Sequence, residues 1–140
     1  MHAIDLRLVA TTDEMATAFR SRFEPFPSVS VALARWEDLP PHDCFVTAGN
    51  SYGLMSAGTD AAVVREFGPQ MREAVQLRIM NEFLGEQPVG TAFLLATGGS
   101  RVPFVCHAPT MRLPGDISRN LAQRQRLPRR ARSASLHLSP

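Results

Sequence analysis

Asn50 and Asp60 stand out in this 140-residue chain as a pair whose types and spacing permit chemistry. An asparagine amide both donates and accepts hydrogen bonds, which suits a sugar hydroxyl. A carboxylate ten positions further on can cap a helix or meet a ligand. The residues between them include Gly53, Ser56, Ala57 and Gly58, a flexible small-residue stretch. Ahead of Asn50 runs Thr47-Ala48-Gly49, where Ala48 and Gly49 allow a ligand close to the backbone. If a buried strand leads into this loop, it lies at the carboxyl end of a sheet, where α/β proteins bind ligands. If a helix follows, its free N–H groups favour a phosphate. Taken alone, a small-residue turn joining strand to helix is more often structural than functional.

The flanking sequence supplies the elements that would position such a loop. Ile4, Leu6 and Leu8 alternate with polar residues and predict a first strand. Thr11-Thr12-Asp13-Glu14 has the capping-box form, and Met15, Ala18, Phe19 and Phe23 then share a helical face until Pro25 and Pro27. Val29, Val31 and Leu33 predict a second strand, Pro40-Pro41 a turn, and Cys44-Phe45-Val46 a short apolar strand running into Asn50. Asp60 is placed to cap a short helix over 61–67, which Gly68 breaks. Pro69 is tolerated in the first turn of the next helix, whose buried stripe is Met71, Val75, Ile79 and Phe83. Asn81, Gly85 and Pro88 surround its end, and residues 90–97 and 103–107 predict two more strands around Gly98-Gly99-Ser100. Strands alternating with helices predict a layered α/β domain.

Composition limits the function classes. A 44% hydrophobic, 20% charged chain of this length suits one globular domain. No run of 18 apolar residues is present, so no membrane-spanning helix is expected. The start Met1-His2-Ala3-Ile4-Asp5 lacks the basic opening and apolar run of a secretory leader. Cys44 and Cys106 lie in apolar stretches and are read as buried, reduced thiols, which predicts a cytoplasmic protein. No Cys/His spacing resembles a zinc site, and no metal or cofactor is expected. The net charge of +2 is unevenly placed: residues 1–118 hold nine arginines and all 13 acids, while residues 119–140 hold six arginines and no acid.

The order of residues around the loop adds a resemblance. Asp43-Cys44-Phe45-Val46-Thr47-Ala48-Gly49-Asn50-Ser51 resembles the macro-domain signature, in which an acid precedes an apolar strand ending in small residues and Asn-Ser. The family then has a glycine-rich loop closing in an apolar residue and Asp ten positions after the Asn, a spacing that Asn50 and Asp60 keep. Val89-Gly90-Thr91-Ala92, Thr97-Gly98-Gly99 and Val105-Cys106-His107-Ala108-Pro109 look like the family's next strand pair. The resemblance covers residues 4–118. It implies a three-layer α/β/α fold with a mixed central sheet that binds ADP-ribose, free or attached to protein. By the same resemblance Asp38, rather than Glu37, would meet the adenine amino group. Asn50 would hold the distal ribose, with Ala48, Gly49, Ser51 and Tyr52 near the ligand. The backbone of Gly53, Ser56, Ala57 and Gly58 would contact the diphosphate. Asn50 and Asp60 would be the catalytic pair if ADP-ribosyl esters are hydrolysed. His107 is expected to be a core histidine, and Arg112 follows it on the ligand-facing side of the sheet, within reach of a phosphate.

The pattern is broken in three places. Val64 stands where hydrolase members often carry a histidine, four residues after the Asp. Met55-Ser56-Ala57-Gly58 dilutes the family's glycine run, and the added side chains narrow the approach to phosphate. After Ser118 the family's further strand, second phosphate loop and closing helices do not follow. The stretch 119–140 has no glycine and no apolar periodicity, and disorder is expected there. We read it as an Arg-rich tail after an incomplete domain over 1–118, the result of a truncated or out-of-frame end. Six arginines could also contact nucleic acid, but the tail has no aromatic residue for stacking, which argues against that. Two functional readings result: binding of ADP-ribose or an ADP-ribosylated protein, with or without hydrolysis, or a non-catalytic remnant that binds weakly. The sequence sets no oligomeric state.

Overall fold

The computed structural model describes residues 4–115. The Arg-rich tail, with its expected disorder and the nucleic-acid reading, lies outside the described residues. By its internal contacts the chain forms two compact units, one ending at Pro41 and one beginning at His42.

In the first unit, β1 (Leu6–Ala10) and β2 (Val29–Leu33) pair in parallel, with Leu6 opposite Val29 and Ala10 opposite Leu33. Parallel neighbours need a crossover, and α1 (Asp13–Phe23) supplies it. Thr12 caps this helix as the sequence predicts, its Oγ1 accepting from the Met15 backbone N–H at 3.3 Å. The buried face differs from the predicted one. Ala16 is fully buried and Phe19 and Phe23 half-buried, whereas Met15 is 45% exposed and Ala18 is exposed. Residues 16, 19 and 23 share a helical face as well as 15, 19 and 23 do, and the small Ala16 is the residue seated inward. A 3-10 turn over Trp36–Asp38 follows β2.

The second unit is a mixed sheet with two helices. Its strand order is β3-β5-β4, from β3 (Cys44–Asn50), β4 (Phe93–Ala96) and β5 (Phe104–Met111). β5 pairs in parallel with β3, which places His107 opposite Thr47, and antiparallel with β4, which places His107 opposite Phe93. His107 is thus at the centre of the sheet. β5 runs four residues beyond the predicted strand end, because the ladder with β3 continues through Ala48, Gly49 and Asn50. The ladder is irregular between Gly49 and Asn50, which is where β3 hands over to the loop.

α2 (Gly58–Phe67) packs against β3 and against α3 (Gln70–Phe83). Gly68, at φ 92°, separates the two helices, and Pro69 precedes α3, both as the sequence indicates. Met71, Val75 and Ile79 are buried and Phe83 half-buried, so the predicted stripe is the core face of α3. With Val63, Val102 and Val105 they form the apolar interior of this unit. α3 ends with Leu84 at φ 56° in the left-handed conformation, followed by Gly85 at φ 96°. Both cysteines are free. Cys106 is buried as expected, but Cys44 is exposed, because it opens β3 on a side of the sheet where no further strand pairs among the described residues.

Candidate ligand cleft

Three chain segments converge on one cleft of about 240 Å³. The end of β3 contributes Ala48, Gly49 and Asn50. The loop and first turn of α2 contribute Ser56, Ala57, Gly58, Thr59 and Asp60, and the chain leaving β5 contributes Met111, Pro114 and Gly115. Of the residues singled out in the sequence, Ala48, Gly49, Asn50, Ser56, Ala57, Gly58 and Asp60 are therefore brought together. Thr59 lies inside the loop read from Asn50 to Asp60, and Met111 beside Arg112 at the strand end read as ligand-facing, whereas Pro114 and Gly115 were missed. These two come from chain beyond the end of β5, whose position in the sequence says nothing about the loop.

The N-terminus of α2 is the strongest polar feature of the cleft. Its N-cap, Ala57, offers no side-chain bond, and the first intrahelical bond of this turn runs from Ala61 N–H to Ala57 C=O at 3.2 Å. The N–H groups of Gly58, Thr59 and Asp60 are left without helical partners, as at any helix start. Together with the helix dipole they favour an anion.

Asp60 is not the cap that the sequence allows. It sits in the first turn of α2 and is 4% exposed. Its Oδ1 accepts a hydrogen bond from Thr47 Oγ1, and Thr47 is itself fully buried on β3. Thr47 Oγ1 also lies 3.3 Å from Thr59 Oγ1. Asp60 thus ties α2 to β3 and forms part of the cleft floor. Asn50 is 6% exposed and spends its carbonyl oxygen on the loop, Oδ1 accepting from Tyr52 N–H at 3.1 Å and Leu54 N–H at 3.4 Å. The amide group that remains to it is a donor.

The other predicted residues are used differently. Gly53, at φ 61°, turns toward α3, and a Cβ there would come within 2.6 Å of Val75 Cγ1. Its lack of a side chain serves helix packing. Ser51 is buried, with its N–H bonded to Met111 C=O at 3.0 Å. Tyr52 donates its hydroxyl to Glu86 Oε2 at 2.8 Å. Arg112 grips the same carboxylate, with Nη2 at 3.0 Å from Oε2, and lies 5.8 Å from the Tyr52 ring centroid. The Arg112 bonds, then the Tyr52 hydroxyl, hold Glu86 down to about 2. Two of the Arg112 guanidinium nitrogens, Nε and Nη2, are thus engaged by Glu86. Asp38 belongs to the first unit, where it ends the 3-10 turn.

His107 lies beneath the cleft, fully buried in β5. Its Nδ1 is 2.8 Å from Gln87 Oε1, and its ring centroid is 5.5 Å from that of Phe93. Nε2 is buried with no hydrogen-bonding partner among the described residues. Burial pushes the imidazole below its ordinary value, and the negative charge of Asp60 opposes that shift.

The family model of the macro domain matches residues 46–132, more than half of the chain. The chain belongs to the macro domain family. The matched stretch begins inside β3 and includes the whole cleft. Among solved structures, the chain is similar to a mutant of the Oceanobacillus iheyensis macrodomain with ADPR, at 28% identity over 48% of this chain and 37% of that one, with a TM-score of 0.45. The Oceanobacillus iheyensis macrodomain with ADP gives 28% identity over 48% and 36%, TM-score 0.45. The macrodomain of Mycobacterium tuberculosis DarG gives 20% identity over 61% and 55%, TM-score 0.49. The chain thus spans between about a third and just over half the length of these structures. No curated protein matches it. Among the described residues, no helix is long and apolar enough to cross a membrane.

Proposed function

We propose that this macro domain binds ADP-ribose, free or attached to a protein, in the cleft between the end of β3 and the start of α2. The observation that carries the reading is the convergence of one donor amide, small residues and a helix N-terminus on a single cleft. A phosphate fits the N–H groups of Gly58, Thr59 and Asp60, and a ribose hydroxyl fits the Asn50 amide. The cleft volume is below the roughly 300–1,000 Å³ of a pocket that engulfs a drug-sized ligand. It accommodates the sugar and phosphate end, and an adenosine would extend beyond it. The contact of Asp38 with adenine belongs to this reading through the resemblance alone. The free cysteines support a cytoplasmic setting. Calorimetric titration of the full chain with ADP-ribose tests the reading: saturable heat is expected, and none at millimolar ligand overturns it.

Two observations favour binding without hydrolysis. Asp60 is buried and bonded to Thr47, so its carboxylate acts as an internal tie. Val64, on the same helix, offers no group that could transfer a proton. Release of ADP-ribose from a modified protein, compared between wild type and Asp60→Ala, separates the two forms of the reading. Turnover by wild type that the substitution abolishes, with the fold retained, would establish hydrolysis.

A further inference from the structure

Beside the cleft, Glu86 joins two chain segments that reach it from distant parts of the sequence. Its Oε2 accepts from the Tyr52 hydroxyl at 2.8 Å and from Arg112 Nη2 at 3.0 Å, and its Oε1 accepts from Arg112 Nε. Tyr52 stands two residues after Asn50, and Arg112 stands directly after Met111 and two residues before Pro114. Asn50, Met111 and Pro114 all line the cleft. The three side chains thus form a clasp, and each of its two arms leads to cleft residues.

The clasp closes over a main chain that is already fixed. Ser51 donates its N–H to Met111 C=O at 3.0 Å, and its C=O accepts from Gln87 N–H at 2.9 Å. Ser51 therefore holds the loop, the end of β5 and the chain after α3 together, and Glu86 directly precedes Gln87. Exposed ion pairs are ordinarily worth little, because two long side chains must be ordered to make them. Here the backbones are held beforehand, and Arg112 meets the carboxylate through two nitrogens, the geometry in which such a pair counts. What the clasp adds lies one step further out. Asn50 Oδ1 accepts from the Tyr52 N–H at 3.1 Å, so the placement of Tyr52 bears on which way the Asn50 amide faces. Arg112 is the first residue after β5, where the strand ladder has ended, and the cleft wall at Pro114 and Gly115 follows it.

We propose that Glu86 is a positioning residue for the sugar side of the cleft, holding the Asn50 amide through Tyr52 and the Pro114 wall through Arg112. The phosphate side is held by other means. Its N–H groups belong to the first turn of α2, which Asp60 fastens to Thr47 on β3. The clasp therefore acts on the part of a ligand that meets the Asn50 amide, and the anion site stands without it. Charge alone would act in the opposite direction. Removing the Glu86 carboxylate leaves the Arg112 guanidinium uncompensated, which favours any anion nearby. A general loss of the fold would weaken every ligand alike. The three causes thus carry different signs. The step to the sugar rests on the ADP-ribose reading, while the hold on the Asn50 amide does not.

Two measurements on the full chain test these parts. In ligand-free protein, ¹⁵N relaxation of the Asn50 side-chain amide reports how firmly that group is held. Its order parameter should fall in Tyr52→Phe, which removes the hydroxyl and keeps the ring. It should fall also in Glu86→Gln, which turns one acceptor oxygen into a donor facing Arg112 or Tyr52. An unchanged value in both folded variants overturns the proposal. In calorimetry, Glu86→Gln should raise the Kd for ADP-ribose about two- to fivefold, as expected of one well-placed exposed pair. The Kd for inorganic pyrophosphate, which lacks the sugar, should stay the same or fall. A fall for both ligands would make Glu86 a matter of charge, an equal rise for both would make it structural, and either overturns the proposal. If wild type gives no heat with ADP-ribose, the ADP-ribose reading fails, and the order parameter still decides the clasp.

Discussion

Gly49→Ala adds one methyl group at the point where the cleft, the sheet and the buried histidine meet. The new carbon would stand 2.4 Å from His107 Nε2 and 3.0 Å from its Cδ2, with Asp60 Oδ2 at 3.1 Å. None of these neighbours can move freely. His107 lies in the central strand and is tethered to Gln87, and Asp60 is tethered to Thr47. Overpacking a filled interior costs about 1–3 kcal/mol. If the ring yields, the buried Gln87 oxygen loses its partner, which adds about 1–3 kcal/mol. A total loss of about 2–6 kcal/mol is expected, a large part of the roughly 5–15 kcal/mol that holds a domain folded. With a urea dependence of about 2 kcal/mol per molar, the unfolding midpoint followed by circular dichroism should fall by about 1–3 M. Gly58→Ala is the control. It sits at φ 58° with open space around a new Cβ, so it should cost only the left-handed backbone penalty of about 1–2 kcal/mol. A Gly49→Ala protein within about 0.5 kcal/mol of wild type, or no weaker than Gly58→Ala, would refute the reasoning.

Three further perturbations test other parts of the structure. Ile79→Ala on α3, where the side chain is 2% exposed, should cost about 2–5 kcal/mol in the same unfolding assay, while Leu77→Ala, 62% exposed, should stay within about 0.5 kcal/mol. Met55→Gly relieves a left-handed backbone at φ 47°, worth about 1–2 kcal/mol, but empties a fully buried site worth about 2–5 kcal/mol. Net destabilisation is expected, and a rise in the unfolding midpoint would show that strain outweighs burial. Glu86 is held down to about 2, first by the Arg112 bonds. Its folded value lies below the ordinary 4.5, so its contribution is present above 4.5 and is lost as pH falls from there through about 2. Carbon NMR should place its midpoint near 2 in wild type and closer to 4.5 in Arg112→Ala, and equal midpoints would remove the ion pair as the cause.

The elements were legible because periodicity and punctuation agree with packing. The stripe Met71, Val75, Ile79 is buried, and Thr12, Gly68 and Pro69 stand at the helix boundaries they predict. Local pattern failed where two faces were equally apolar, as with Ala16 and Met15 on α1, and where a partner strand set the length, as with β5. The loop residues at the cleft could be named from the order Asn50 to Asp60. What they do there could not, because it depends on contacts far along the chain. Gly53 is small for Val75, Tyr52 and Arg112 are both taken by Glu86, and Asp60 is bound by Thr47. The contact of Gly49 with His107 joins residues 58 positions apart, which no local spacing encodes.

The glycine run that the family uses beside phosphate is altered here in a way that the geometry explains. Met55 occupies a left-handed position that favours glycine, yet its side chain is fully buried and its carbonyl accepts from Arg72 Nη2 at 3.3 Å. Burying a side chain of this size contributes about 1.5–3 kcal/mol, enough to offset a left-handed penalty of about 1–2 kcal/mol. The side chain is directed into the interior, so the substitution does not narrow the cleft, and Met55 is absent from the cleft wall. The residues that do face the cleft at this point, Ser56, Ala57 and Gly58, are all small. The loop thus trades backbone freedom at Met55 for a fixed anchor, and a fixed anchor holds the N–H groups of α2 in place before a ligand arrives. That preorganisation lowers the entropy cost of binding. Met55→Gly should therefore weaken any anion bound at α2 even at temperatures where the domain remains folded, an effect visible as a larger entropic penalty in calorimetry. Equal binding entropy in folded Met55→Gly and wild type would show that the loop is held by its neighbours alone.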